Sequence, residues 1–213
     1  MSGLSDNLEK IAGQIRQNFT ELDAAREKAL PCCREVIRNC SQAIRAVHRQ
    51  EFDHAAELLQ KARSLLNEAE QTVDNYNELN YTGFFRDAQK EYAEGSVLLS
   101  VVGGQQIPSP EALGIDDAAY LNGLGEAAGE LRRYLLDSMR QGDVSRGEEL
   151  LQVMDDIYSV LVTMDFPDAI TGGLRRTTDM VRGVLERTRS DLTLIVTQKD
   201  LENRLEKLRE NPE

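Results

Sequence analysis

Acidic side chains recur at helical spacing in two segments of the sequence, and they are the residues best suited to chemistry. In the segment GFFRDAQKEYAEGSVLLSVV, residues 83–102, Glu91 lies at the edge of an apolar stripe. Asp87 precedes it by four residues and Glu94 follows it by three, so the three carboxylates are neighbours on a helix surface. A carboxylate beside a packing face needs a cationic partner, because burying an unpaired charge is costly. The segment therefore predicts either an ion pair or a bound metal.

A second acidic segment has the sequence YLNGLGEAAGELRRYLLDSM, residues 120–139. It carries Glu126 and Glu130 one helical turn apart. Gly123 and Gly129 lie on the same side of the predicted helix, and such small residues let another helix or a ligand come near. We therefore expect the two acid-bearing helices to meet at this face.

Carboxylates that converge from two helices would repel one another unless cations neutralised them. Mg²⁺ and Mn²⁺ prefer such oxygen ligands, and an ion of this kind activates water for attack on a phosphodiester. The alternative is structural, with each carboxylate in a salt bridge to an arginine of a neighbouring helix. Spacing by itself leaves both interpretations open. The candidate metal ligands are Glu91, Glu94, Glu126 and Glu130.

Basic residues near the acidic segments are candidates to hold phosphate groups through charge-assisted hydrogen bonds. The alternative is that they are solvated partners of acidic residues one helical turn away. These candidates are Arg86, Lys90, Arg133, Arg175 and Arg176.

Two other motifs lack the context that their chemistry needs. Glu51 and His54 match the Glu-x-x-His pair of di-iron bundles, but such a site needs the pair on two helices, and the only other histidine is His48. Gly123 and Gly125 imitate a dinucleotide-binding loop, although their spacing departs from G-x-G-x-x-G and no predicted strand precedes them. Close helix packing explains these glycines better.

The three cysteines predict no catalytic or disulfide function. Cys33 and Cys40 fall on the apolar stripe of a predicted helix, where a cysteine behaves as a small buried hydrophobe. An odd number of cysteines that lie close together argues against a disulfide framework and favours a reducing compartment.

Composition favours a single all-α domain over residues 1–213. Aromatic residues make up 5% of the chain and hydrophobic residues 40%, which suits amphipathic helices. Lys and Arg total 25 against 37 for Asp and Glu, so the net charge is -12 and a generally basic surface for nucleic acid is excluded. No stretch approaches 18 apolar residues and the start lacks a signal sequence. We therefore expect a cytoplasmic protein with no membrane partner.

About seven helices must position the acidic segments, because apolar residues recur at spacings of three and four. Leu4 to Leu22 form a predicted buried face, and Pro31 is predicted to break or restart the helix. Residues 80–83 are a predicted turn, 103–116 a surface loop, and 197–213 a tail that extends the last helix or frays. The predicted helices lie before Pro31 and at about 33–47, 51–79, 84–102, 117–140, 144–162 and from 169 onward.

Several short motifs, in this order and spacing, resemble the translin superfamily. The likeness is to its catalytic branch, translin-associated protein X, in a prokaryotic type, and it covers about residues 5 to 195. The motifs are Gly83-Phe84-Phe85-Arg86, Glu91-Tyr92-Ala93-Glu94, Tyr120-Leu121-x-Gly123 with Glu126, Glu130-Leu131-x-Arg133, and Gly142-Asp143.

This resemblance implies an all-helical subunit of a closed homo-oligomer, commonly an octamer, that binds RNA or single-stranded DNA. It implies a Mg²⁺-dependent endoribonuclease whose catalytic carboxylates are Glu91, Glu94 and Glu126. The third position is usually Asp in this branch, and Glu126 differs by one methylene. Glu130 falls at a glutamate shared more widely in the family, so it is either a ligand or structural. Arg86 matches a basic position implicated in RNA contact.

Two other functions remain open from the sequence. One is a translin homologue that binds RNA or single-stranded DNA without cleaving it. The other is a helical scaffold for protein partners, in which the carboxylates only form ion pairs. If RNA is enclosed by a shell of subunits, basic residues need only line the inside, while the acidic outside keeps the particle soluble.

Overall fold

Every regular element in the described part of the chain is an α-helix, which confirms the all-α prediction. The computed structural model describes residues 2–76, 79 and 82–210. None of the described helices is both long and apolar enough to span a membrane. The helices are α1 (Ser2–His48), α2 (Phe52–Val73), α3 (Gly83–Val102), α4 (Pro110–Leu113), α5 (Asp117–Arg140), α6 (Gly147–Thr163), α7 (Asp168–Thr171) and α8 (Leu174–Glu210).

Helix α1 runs through Pro31 without a break, so the predicted interruption at this residue is wrong. A proline inside a helix removes one backbone hydrogen bond and crowds the preceding turn. Here the ring lies on the exposed side of α1, while Ala29 and Cys33 are buried on the side that packs against the bundle. Tertiary packing on both sides of Pro31 therefore maintains a helix that the local rule would end.

The apolar stripe on the first turns of α1 is exposed. Leu4 is 77% exposed and Phe19 is 66% exposed, although the sequence predicts a buried face here. The buried part of α1 begins at Ala25. The spacing of apolar residues shows that a helix is amphipathic, but it does not show which surface packs against the apolar side.

Helices α3 and α5 form the centre of the bundle. Helix α1 packs against α2 and α3, α3 packs against α5, and α5 packs against α6 and α8. Leu98 of α3 and Leu131 and Leu135 of α5 are almost fully buried at these contacts. Each such side chain contributes roughly 1.5 to 3 kcal/mol through the hydrophobic effect. The two acid-bearing helices are thus held together by the core itself.

Several predicted boundaries differ from the structure. Helix α2 ends at Val73 rather than at 79, and residues 77, 78, 80 and 81, which include half of the predicted turn, lie outside the described residues. The expected loop 103–116 contains the single turn α4, whose start is capped by Ser109. The predicted tail continues α8 to Glu210, and residues 211–213 lie outside the described residues.

The helix predicted from residue 169 onward is divided in two. The single turn α7 ends at Thr171 and is capped by Gly172, and α8 begins at Leu174. Gly172 and Gly173 have φ angles of 62° and 86°, which few residues other than glycine adopt. These two left-handed residues end one helix and redirect the chain into the next.

A close approach of backbones at Gly123 sets the separation of α3 and α5. A Cβ atom at this position would lie 2.5 Å from the Lys90 carbonyl oxygen and 2.6 Å from the Ala93 Cβ. Gly125 makes a similar approach to Thr177 of α8, which confirms that helix packing explains both glycines. The expectation fails at Gly129, where a Cβ atom would meet nothing within 4 Å.

We expect a Gly123→Ala substitution to lower the melting temperature, because the new methyl group must displace the backbone of α3. Overpacking of this kind costs roughly 1 to 3 kcal/mol, and each kcal/mol corresponds to about 2 to 4 °C in a chain of this size. Gly129→Ala is the matched control on the same helix. It should raise the melting temperature slightly, because alanine favours the helix by about 1 kcal/mol. Equal melting temperatures for the two variants in a thermal scan would contradict the close approach.

Candidate functional site

Three carboxylates converge where α3 crosses α5. Glu91 and Glu94 come from α3 and Glu126 from α5, and one ligand oxygen from each lies within 4.8 Å of the other two. We call these residues the carboxylate cluster. The spacing of Glu91 and Glu94 places both on the same side of α3, and the contact at Gly123, one turn before Glu126, brings α5 against that side.

The environment of the cluster opposes the ionised form of Glu94. This residue is only 8% exposed. Burial raises the pKa of Glu94 to about 8, and the negative charges of Glu91 and Glu126 add to the effect. Burial and the charge of Glu126 also raise the pKa of Glu91, against the opposing influence of Lys90. Nearby positive charge therefore compensates the ionised forms of these two carboxyl groups only in part.

Lys90 forms an ion pair with one carboxylate of the cluster. Lys90 Nζ lies 2.9 Å from Glu126 Oε1 and donates a hydrogen bond to it. Burial lowers the pKa of Lys90, but the hydrogen bond and charge of Glu126 outweigh this and raise it overall. Within the described residues, Glu91 and Glu94 form no ion pair. The structural alternative from the sequence, a salt bridge for each carboxylate, is thus met within the cluster at Glu126, by Lys90 rather than by an arginine, and outside the cluster at Glu130, by Arg133.

The chemistry and separation of these oxygens suit a divalent cation. Mg²⁺ binds carboxylate oxygens at about 2.1 Å, so two oxygens on opposite sides of one ion are about 4.2 Å apart. The upper limit of 4.8 Å in the cluster is within reach of that value by small side-chain rotations. Glu91, Glu94 and Glu126 can therefore hold Mg²⁺ or Mn²⁺.

Glu130 lies beside the cluster and is held by a histidine. Its Oε2 atom is 2.5 Å from His48 Nε2 and 3.5 Å from Arg133 Nη1. The hydrogen bond from His48 is the largest influence on Glu130 and lowers its pKa. Glu130 and Arg133 line a cavity of about 460 Å³ together with the three carboxylates of the cluster. We call this cavity the acidic cavity.

His48 is a residue of this site that the sequence does not predict. Its sequence context suggests only a second histidine for a di-iron site, and its contact with Glu130 spans 82 positions along the chain. No local spacing indicates such a pair. The Glu-x-x-His residues themselves, Glu51 and His54, are exposed at the start of α2 and take no part in the cluster.

The basic candidates are divided among three places. Lys90 and Arg133 lie at the cluster and the acidic cavity. Arg86 and Arg176 line a second cavity of about 560 Å³, together with Lys90 and Glu126. We call this second cavity the basic cavity, and Glu126 lines both.

Arg175 is placed apart from the other basic candidates. It forms an ion pair of 3.5 Å with Asp165 and lines a separate cavity near the end of α6. Arg175 and its neighbour Arg176 therefore face different surroundings, although the sequence groups them together. Within the described residues, Arg176 forms no ion pair.

Cys33 and Cys40 are buried, as expected, whereas Cys32 is partly exposed. Burial raises the pKa of Cys33 to about 12. Burial also raises the pKa of Cys40, with a further contribution from the charges of Glu91 and Glu94. Cys40 therefore lies within electrostatic range of the carboxylate cluster without being able to supply a thiolate ligand at neutral pH.

Comparison with known proteins identifies relatives that match most of the chain. The sequence is 30% identical over 191 residues to an uncharacterized protein of Methanocaldococcus jannaschii. The aligned region covers 87% of this chain and 83% of that relative. No family model matches the sequence.

Solved structures share both fold and sequence with the chain. The crystal structure of AfC3PO is 33% identical, covers 87% of this chain and 96% of its own, and has a TM-score of 0.78. The AfC3PO complex with duplex RNA is 34% identical over the same shares, with a TM-score of 0.75. The structure of apo-NeC3PO has a TM-score of 0.76 at 19% identity, which shows a common fold.

We expect a Glu94→Gln substitution to stabilise the metal-free protein at pH 8 but not at pH 5. Because the pKa of Glu94 rises from 4.5 to about 8 on folding, its stabilising contribution is present below about pH 4.5 and is lost as the pH rises to 8. Glutamine cannot ionise and escapes this loss. The variant's melting temperature in EDTA should exceed the wild-type value by on the order of 10 °C at pH 8.

Glu148→Gln is the control for this experiment, because Glu148 is an exposed glutamate of α6. Its melting temperature should follow the wild-type pH profile. If Glu94→Gln follows that profile too, Glu94 is not held in an environment that opposes its charge.

Proposed function

Because this chain belongs to the translin superfamily together with the C3PO proteins, we propose that it is a metal-dependent endoribonuclease that cleaves RNA within a homo-oligomeric shell. The observation that carries this proposal is the carboxylate cluster, in which three acids converge and, within the described residues, only Glu126 forms an ion pair. A divalent cation would remove the repulsion that burial and like charge create there.

Glu91, Glu94 and Glu126 are the proposed catalytic residues and would hold Mg²⁺ or Mn²⁺ between them. Such an ion, when bound, would stabilise charge on the phosphodiester and favour attack by water. Glu94 contributes through its burial, because a carboxylate shielded from water interacts more strongly with a cation. Lys90, which donates a hydrogen bond to Glu126, would share that carboxylate with the cation and would supply a positive charge for a phosphate oxygen.

The two cavities indicate how RNA would cross the site. Because Glu126 lines both, a strand that passes over this residue would place its scissile phosphate beside the cluster. Arg133 would then contact the backbone on the side of the acidic cavity, and Arg86 and Arg176 on the other side. The AfC3PO complex with duplex RNA supports RNA as the ligand class.

Assembly into a shell agrees with two features of the chain. The exposed apolar stripe on the first turns of α1 offers a contact surface for a second copy. With a net charge of -12, the chain needs an enclosed surface on which local basic residues can attract a polyanion. We propose a homo-oligomer, with an octamer as the expected size.

The competing function is binding of RNA or single-stranded DNA without cleavage. The ion pair between Lys90 and Glu126 favours it, since a lysine can occupy the place of a metal. In a protein-binding scaffold, the third function, the cluster would serve neither RNA nor metal. Metal-dependent turnover separates the first function from both others.

We expect the double variant Glu91→Gln/Glu94→Gln to lose RNA cleavage while keeping RNA affinity. The two amides keep the shape of the side chains but remove ligand charge, so cleavage of labelled RNA with Mg²⁺ should fall by at least about 100-fold. Binding measured by fluorescence anisotropy in EDTA should be unchanged or tighter. The control, Glu148→Gln/Glu186→Gln, removes the same charge from exposed positions and should retain activity.

The outcomes of this experiment identify the function. Full cleavage by the double variant would refute the assigned catalytic residues. RNA binding by the wild type with no cleavage in Mg²⁺ or Mn²⁺ would support the binding protein instead. If the wild type binds no RNA at low salt, the protein-binding scaffold is the function that remains.

We expect Arg176→Glu to weaken RNA binding more than Arg175→Glu. The first change reverses a charge that lines the basic cavity, whereas the second removes an ion pair with Asp165 in a separate cavity. RNA affinity of the Arg176 variant should fall about tenfold, and the slope of log affinity against log salt should become shallower by about 1. Equal losses in both variants would show that RNA does not distinguish the two cavities.

A further inference from the structure

A buried histidine lies behind the acidic cavity and has one polar contact. His48 is the last residue of α1, and its side chain is only 6% exposed. Its Nε2 atom is 2.5 Å from Glu130 Oε2 on α5, and its ring lies 6.3 Å from that of Tyr134. The His48 Nδ1 atom is buried and has no hydrogen-bond partner within the described residues. The pair with Glu130 is therefore the polar interaction that this imidazole makes.

The direction of the hydrogen bond follows from its acceptor. An ionised carboxylate can only accept, so Nε2–H of His48 donates to Glu130. Packing alone does not favour an imidazole here, because a buried polar atom without a hydrogen-bond partner destabilises the fold by about 1 to 3 kcal/mol. An aromatic hydrocarbon would fill the same space without that cost. The arrangement is therefore better explained by the effect of His48 on Glu130 than by packing.

Glu130 is placed to respond to such an effect. It lies one helical turn after Glu126 and lines the acidic cavity with the cluster. Its negative charge raises the pKa of both Glu91 and Glu94, so it acts within electrostatic range of them. His48 and Arg133 both contact the Oε2 atom of Glu130, which leaves Oε1 for another partner.

We propose that His48 is a positioning residue for the metal centre. By holding Glu130 Oε2, it fixes the carboxylate so that Oε1 becomes the fourth carboxylate ligand of a divalent cation held by the cluster. This inference rests on the proposed function, because it assumes that the cluster binds a cation. Donors that orient a metal-binding side chain in this way commonly change metal affinity by 10- to 100-fold.

The test is the affinity of the purified full chain for Mn²⁺, followed by the electron paramagnetic resonance signal of the free ion. His48→Phe removes the donor and keeps the ring, so affinity should fall about tenfold. His48→Gln should retain most of the affinity, since its amide nitrogen reaches nearly as far as Nε2. His48→Asn carries the same amide one methylene shorter and should fall like His48→Phe. The Gln and Asn pair keeps the comparison available if the Phe variant does not fold.

A double-variant cycle tests whether His48 acts through Glu130. Glu130→Gln should weaken Mn²⁺ binding, and His48→Phe/Glu130→Gln should bind no more weakly than Glu130→Gln alone. Asp191→Asn is the structural control, because it breaks a partly buried ion pair between α8 and Arg132 of α5. It should lower the melting temperature and leave Mn²⁺ affinity unchanged.

The outcomes distinguish this inference from the function on which it rests. If the wild type binds no Mn²⁺, the proposed function fails and the positioning role fails with it. If the wild type binds Mn²⁺ and the Phe and Asn variants bind equally well, only the positioning role is overturned. Additive losses in the double variant would also overturn it, since His48 would then act independently of Glu130.

Discussion

Contact between the backbones of α3 and α5 at Gly123 is the constraint on which the rest of the site depends. Without a side chain at this residue, α5 approaches α3 closely enough to place Glu126 against Glu91 and Glu94. The approach brings like charges together inside a core, where water screens them poorly. Apolar contacts of the same two helices, including Leu98 and Leu131, offset that repulsion. The carboxylates are thus placed by packing and not by mutual attraction.

The neighbours of the cluster compensate its carboxylates to different extents. Lys90 compensates Glu126, and His48 with Arg133 compensates Glu130, whereas Glu94 remains buried without an ion pair in the described structure. Structural ion-pair networks usually give each buried carboxylate a partner, because an unpaired one is strongly destabilising. The unequal compensation is therefore more characteristic of a ligand site than of a structural network. Positive charge is available near the cluster, but within the described residues it forms no ion pair with Glu91 or Glu94.

Local periodicity accounts for what the sequence could predict. Helical spacing placed Glu91 and Glu94 on one face of α3, and small residues marked where α5 approaches. Properties that depend on residues distant in the sequence could not be predicted in this way. The helix through Pro31 is maintained by tertiary packing, the exposure of the α1 stripe depends on what lies beside it, and the partner of His48 is 82 positions away. The division between α7 and α8 had a local signal, Gly172-Gly173, that outweighs the apolar period around it.

The length of α1 has a mechanical consequence. At 1.5 Å per residue, its 47 residues form a rod of about 70 Å that begins outside the bundle and ends at His48. A tilt of about 5° around the His48 end would swing the other end through roughly 6 Å. A partner bound to the outer turns would therefore act on the angle between α1 and the bundle. The exposed apolar stripe and the buried histidine thus belong to one continuous helix, so a movement of the outer turns is transmitted along α1 toward His48.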